Sequence, residues 1–371
     1  MPTFLAAFSE RPWIDWPFFR NSWLFVDLFF VLSGIVMTLS YAQPQSGRFS
    51  VREFLVRRVA RLYPLHLCML LVMLLFRFLR VALVGAGLVV AVPAAFEVNN
   101  AYSFVLNLFM LHSLGLIDYL SWNGPSWSIS VEFYTYIVFG LVMLLAVRAA
   151  ATWVLSAAAA LLVLVGLVFL IVVLGKRSLE LQWDFGLIRC VVGFFLGVLT
   201  AQACLRVRRS DRRSLYGALQ IFACASSVVL VSVVGVWPQL SFAAPFIFAL
   251  LLGSLLAFPQ AAPLPRLLEW APLVWLGRRS YSVYMVHAFV ILLAEYFVRA
   301  MGQRPIAALD GICGGLAATL MLALVVVAVL ILSNLTYTLV ELPGARLMKR
   351  WLLGTSDVHS VRASTSTRLQ S

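Results

Sequence analysis

Three short segments carry side chains suited to chemistry. In SWNGPSWSISVEFYTY (121–136), Ser128, Glu132 and Tyr136 recur at every fourth residue. On a helix that spacing makes one polar stripe. A carboxylate in an otherwise apolar helix needs a partner or a proton, so Glu132 is a candidate acid–base or orienting group. In FLVRRVARLYP (54–64), Arg57 and Arg58 each lie about one turn from Arg61. Guanidiniums so placed offer forked donors to a diphosphate or another polyanion. The competing reading is an anchor on lipid phosphates. In LGRRSYSVYMVH (276–287), Ser280, Tyr284 and His287 form another stripe, and a histidine there can carry a proton or donate to a ligand.

Further polar residues interrupt apolar runs. VDLFFVLSG (26–34) places Asp27 near one end of its run and the small Ser33 and Gly34 in its middle, where they allow close helix packing. Arg189 lies in LIRCVVGFFLGV (187–198) with Asp184 about a turn away. It is either a functional cation or half of an internal pair with Glu132 or Asp184. Gly193 and Gly197 give that helix a small-residue face. In LTYTLVELP (335–343), Tyr337 and Glu341 share a face, and Glu341 can oppose Arg58 or Arg61. Asn123 or Ser126 can cap the helix opened by Gly124 and Pro125, beside Trp122 and Trp127. His66 follows the potentially kinking Pro64 and reads as structural. The four histidines have no metal spacing, and no metal is expected. The five cysteines are scattered and read as small hydrophobes.

These residues need apolar helices to position them. The chain has 371 residues, 63% hydrophobic and 12% charged, with a mean hydropathy of +0.97. Soluble domains carry about 25% charge, so a soluble enzyme and a disordered chain are excluded. An all-α, polytopic membrane bundle remains. About nine runs reach membrane-spanning length: 23–42, 60–82, 126–147, 151–174, 184–205, 215–236, 240–258, 280–299 and 311–340. The stretch 83–96 extends the second span or re-enters, and 101–121 is interfacial. Arginine and lysine concentrate in alternate connections, at 43–61, 148, 206–213, 259–279 and 346–350. By the positive-inside rule these and the C-terminus are cytoplasmic. The net charge of +13 is thus a topology signal, and no nucleic-acid partner is expected. Nine spans then leave the N-terminus outside, which points to a missing first helix or else to a miscounted span around 83–121. Residues 1–350 form one membrane domain, and 351–371 a polar, disordered tail.

No phosphate-binding glycine loop, zinc-hydrolase motif or nucleophile elbow occurs in its required context. Taken in order, VDLFFVLSG, FLVRRVARLYP, NGPSWSISVEFYTY, LIRCVVGFFLGV, LGRRSYSVYMVH and LTYTLVELP resemble the acyltransferase-3 family of bacterial membrane O-acyltransferases. The resemblance covers about residues 22–350. It implies about ten helices in the bacterial inner membrane, an acyl-CoA donor (usually acetyl-CoA), and a glycan or lipid-linked sugar acceptor such as a surface polysaccharide or lipopolysaccharide. It assigns Arg58 and Arg61, with Arg57 beside them, to the coenzyme's phosphates or the acyl-carrier channel. Trp127, Ser128 and Glu132 match the family's tryptophan–serine–glutamate segment, while Asp27, Ser33 and Gly34 match its phenylalanine-rich leader. The family's usual base is a histidine on a first helix, and no histidine precedes His66 here. Glu132, His287 and Arg189 are the remaining catalytic candidates, with Asn123, Tyr136, Tyr284 and Glu341 as supporting residues. A glycan transporter and a catalytically silent acyltransferase-like protein are the alternatives.

Overall fold

The structure is a computed structural model that describes residues 16–41, 49–87, 96–206, 213–258, 264–302, 308, 311–312 and 316–354. The described residues are mostly helical and contain no strand. Among them, nine helices are long and apolar enough to cross a membrane. The first part of the chain gives α1 (Pro17–Arg20), α2 (Phe25–Tyr41), α3 (Val51–Gly85), α4 (Ala101–Leu108), α5 (Trp127–Arg148) and α6 (Thr152–Val168). The second gives α7 (Gly186–Arg206), α8 (Arg213–Val233), α9 (Ala244–Ala257), α10 (Leu264–Leu268), α11 (Ala271–Arg278) and α12 (Ser280–Met301). The last span is α13 (Leu316–Thr336), a π turn (Tyr337–Glu341) and α14 (Leu342–Leu353).

Helix α7 packs against α2, α5, α6 and α9. The α2–α7 contact is the tightest because glycine lets the backbones meet. A Cβ on Gly34 would lie 1.9 Å from Phe194 O, and one on Gly197 2.1 Å from Val31 O. Neither obstacle is a side chain that can move aside. Gly34→Val or Gly197→Val is therefore expected to cost more than the usual overpacking penalty of about 1–3 kcal/mol. Thermal unfolding in detergent checks this, and a melting point equal to the parent's would contradict it.

Helix α3 starts at Val51, well before the apolar run expected at 60. Ser50 caps it, accepting from Glu53 N at 3.2 Å, and Glu53 bonds forward to Arg57. The basic segment is thus the first turns of a helix rather than a loop. Pro64 does not interrupt the 35 residues. It packs on α14, where a Cβ on Gly344 would come within 2.5 Å of Pro64 Cβ. Of the expected extension or re-entry at 83–96, residues 83–85 extend α3, and 88–95 lie outside the described residues. The interfacial stretch is the short α4, capped by Asn100, followed by irregular backbone at 109–123.

The last span continues past 340 through Pro343, which lies two residues beyond the π turn. Of the expected tail, 351–353 are helical and 355–371 lie outside the described residues. So do residues 1–15. Phe54, 1% exposed, ties α3 to the core, packing edge-on against Tyr41 and Tyr136 and tilted against Phe139. Cys68, Cys190, Cys204 and Cys224 are free thiols.

Candidate functional site

A cavity of about 540 Å³ opens between α2, α3, α5, α12 and α14. Its polar wall is the α5 stripe, with Ser128, Glu132 and Tyr136 all facing in. Ser33 Oγ donates to Glu132 Oε1 at 2.7 Å, and the Tyr136 hydroxyl donates to the same oxygen at 2.5 Å. The two hydroxyls are 2.8 Å apart. Glu132 Oε2 makes no hydrogen bond among the described residues. Ser33 reaches this point because Gly34 lets α2 press into the bundle.

One end of the cavity is cationic. Arg57, Arg58 and Arg61 from α3 and Lys349 from α14 line it. Arg57 is compensated, paired with Glu53 on the same helix. Arg58 lies between the rings of Tyr41 and Tyr136, 5.9 Å from each centroid. Its Nε is buried without a partner. Arg58, Arg61 and Lys349 make no ion pair within 4 Å among the described residues. Three cations without a direct ion-pair partner thus surround one opening of the cavity. Arg52 donates to Leu352 O at 3.0 Å, which puts the end of α14 at the same end of the bundle as the arginines.

At the other end, Ser128 Oγ donates to the Tyr284 hydroxyl at 2.8 Å, and Tyr284 donates to Pro125 O at 2.9 Å. Tyr281 donates to Leu62 O at 2.6 Å, fixing α12 against α3. Glu341 faces the cavity and accepts from Ser282 Oγ at 2.7 Å; it makes no ion pair within 4 Å with Arg58 or Arg61, but Arg61 is near enough to act on it electrostatically, as the sequence suggested. The π turn brings it there, an irregularity often found at functional positions.

Other sequence candidates lie elsewhere. Arg189 pairs with neither Glu132 nor Asp184. It grips Asp27, with Nε to Oδ1 at 3.0 Å and Nη2 to Oδ2 at 2.7 Å. Its Nη1 donates to Leu181 O at 3.1 Å. The guanidinium lies between Trp23 and Trp127, 5.1 and 5.3 Å from the ring centroids. Asp184 instead meets Lys176 at 3.2 Å. His287 does not line the cavity: its Nδ1 lies 2.5 Å from Tyr284 O, one turn back along α12. Asn123 and Ser126 make no capping bond. Asn123 Nδ2 donates to Met285 O at 2.9 Å, stitching the start of α5 to α12, and Ser126 bonds His112.

The sequence reading missed Tyr41 and treated Lys349 only as topology. Lys349 lies on α14, where the contact with Pro64 sets its position, and no local signal reveals that. Among the described residues no group of three or more histidine, cysteine or acidic side chains can hold a metal ion.

A family model described as an acyltransferase domain matches residues 4–337. The chain is 27% identical over 292 residues to a putative peptidoglycan O-acetyltransferase, YrhL, of Bacillus subtilis, covering 72% of this chain and 44% of that protein. It is 21% identical over 296 residues to the peptidoglycan O-acetyltransferase OatA of Listeria monocytogenes, covering 74% and 46%. The O-acetyltransferase OatA of Staphylococcus aureus is 24% identical over 306 residues, covering 77% and 48%. The chain thus spans about half the length of these relatives. No solved structure matches it.

Proposed function

The chain belongs to the acyltransferase domain family, and from that premise we propose that it transfers an acyl group, acetyl first, from acyl-CoA to a hydroxyl of a glycan or lipid-linked sugar. The relatives' names make peptidoglycan the first acceptor to test. The observation that carries this reading is a cavity with cations free of direct ion pairs at one end and a hydroxyl–carboxylate stripe along its wall. Arg58, Arg61 and Lys349 hold the coenzyme's phosphates. The pantetheine arm runs along the cavity and brings the thioester to Glu132 and Ser128. A sugar hydroxyl is a poor nucleophile until a base takes its proton during attack. Glu132, with Ser33 and Tyr136 locked to Oε1, orients the reacting groups. In this reading the arginine end faces the cytoplasm, where acyl-CoA is made, and the C-terminus lies on the same side of a multi-pass protein of the bacterial cytoplasmic membrane.

Equilibrium binding of acetyl-CoA to the purified protein in nanodiscs tests the reading. A charged hydrogen bond contributes about 1.5–3 kcal/mol. The triple variant Arg58→Gln, Arg61→Gln, Lys349→Gln is therefore expected to bind at least about 100-fold more weakly. Unchanged affinity would remove the phosphate role from these residues.

A further inference from the structure

Ahead of the spanning helix α12 the chain forms the short helices α10 and α11, and the described part of the bundle leaves them bare. Pro265 is buried, but no residue of α11 is. From 266 to 278 every residue except the half-buried Leu273 is exposed. Leu267, Leu268, Trp270, Val274, Trp275 and Leu276 are 36–60% exposed. Isolated helices this short are marginal in water, and a contiguous apolar patch on a protein surface marks a contact with something else. The segment therefore needs an apolar cover.

Its position in the bundle is fixed by Arg279. That residue ends α11 and precedes α12, with φ −105° and ψ 5°, so the chain turns there and α11 is not a continuation of the span. Arg279 Nε donates to Asn334 Oδ1 at 2.8 Å, near the end of α13, and Nη1 donates to Trp275 O at 3.2 Å. The guanidinium lies 4.1 Å from the Trp275 ring centroid and 4.9 Å from that of Tyr337, the first residue of the π turn. The next residues, Ser280 and Tyr281, line the cavity, and Tyr281 reaches Leu62 O beside Arg61. Helix α11 thus sits at the arginine end, at the level where α12 begins and α13 ends.

The charges say what the cover is. Arg266 and Arg278 are exposed and make no ion pair within 4 Å among the described residues. Glu269 is the one acid between 264 and 279, against three arginines. Tryptophans flanking an apolar body favour the level of the lipid headgroups, and exposed arginines beside them suit a surface of negative phosphodiesters. Helix α14, at the same end, repeats the pattern: Trp351 is 82% and Leu347 53% exposed, with Arg346 and Arg350 on the same helix. The bilayer already reaches this level beside α12 and α13, so a soluble protein partner would have to displace it.

We propose that residues 264–279 are an interfacial anchor that docks on anionic phospholipid in the leaflet at the arginine end. The exposed leucines and tryptophans enter the boundary between headgroups and acyl chains, and Arg266 and Arg278 meet the lipid phosphates. Arg279, held between Trp275 and Tyr337, ties the seated anchor to the π turn. The inference rests on the chain spanning a membrane and is independent of the acyl-transfer chemistry.

The test is backbone hydrogen exchange of the full chain in two kinds of nanodisc, one of phosphatidylcholine alone and one with a third of its lipid replaced by phosphatidylglycerol. Amides of 266–279 are expected to exchange at least about 10-fold more slowly in the anionic discs, the pull of two arginines toward a negative leaflet. Those of the buried helix α7 are expected to exchange equally in both. The double variant Arg266→Gln, Arg278→Gln alters only exposed side chains, and it is expected to lose the difference at 266–279. Equal exchange at 266–279 in the two discs overturns the inference, whether the segment is open in both or covered in both by a second copy or another part of the chain. A double variant that keeps the full difference overturns it as well. Should the double variant not fold, the comparison of the parent in the two discs decides alone.

Discussion

Arg189→Met alone is expected to destabilise the protein by about 3–5 kcal/mol, because it strands a buried carboxylate. Asp27 is 0% exposed and Arg189 1% exposed. Each is the other's charge partner, and the guanidinium lies between two tryptophan rings. Asp27→Leu alone is expected to do similar damage by stranding the guanidinium. The double variant is expected to recover much of the loss, since well-packed apolar groups can replace a buried pair at little cost. The methionine sulfur would then lie between Trp23 and Trp127, a favourable contact. Chemical denaturation in a mixed micelle reads all three. A double variant no better than either single would show that the pair is not an isolated unit. Because this arginine does not face the cavity, the acetyl-CoA affinity of the folded double variant should equal the parent's.

Glu132→Gln is the substitution expected to cost most activity for least disturbance. The amide oxygen can still accept from Ser33 and Tyr136, so the hydroxyl triangle and the melting point should persist. What disappears is a negative charge on the cavity wall. The expected result is a kcat reduced at least about 100-fold, with acetyl-CoA binding equal to or tighter than the parent's, since a carboxylate near a phosphate site repels the ligand. Steady-state thiol release paired with equilibrium binding separates the two effects. Weaker binding with kcat intact would assign Glu132 to donor recognition instead.

The membrane spans were legible because long apolar runs in a bilayer have few alternatives to helix. The start of α3 was not read correctly, since arginines at 52, 57, 58 and 61 lower the local hydropathy. Yet Ser50 and Glu53 have the spacing of a helix-start signature, and that signal was present. The partner of Arg189 was illegible: Asp27 is 162 residues away, and only the close approach of α2 and α7 brings them together. His287 shows a different failure. Periodicity gives the angle of a residue around a helix axis but not its depth, and the cavity ends at Tyr284, one turn earlier.

The π turn at Tyr337–Glu341 has a consequence for how this span tolerates change. A π turn is a helix carrying one surplus residue, so the faces before and after it keep independent phase. The contact of α13 with α12 and that of α14 with Pro64 are therefore not locked to a common register. Loss of one residue between 337 and 341 would relax the turn to ordinary helix, and both flanking faces would keep their partners. The residue that would lose its place is Glu341, swung about a quarter-turn from the cavity. The surplus residue is thus spent on aiming one carboxylate rather than on holding the bundle together, and a lineage that had dropped it would keep the fold and lose that group from the cavity.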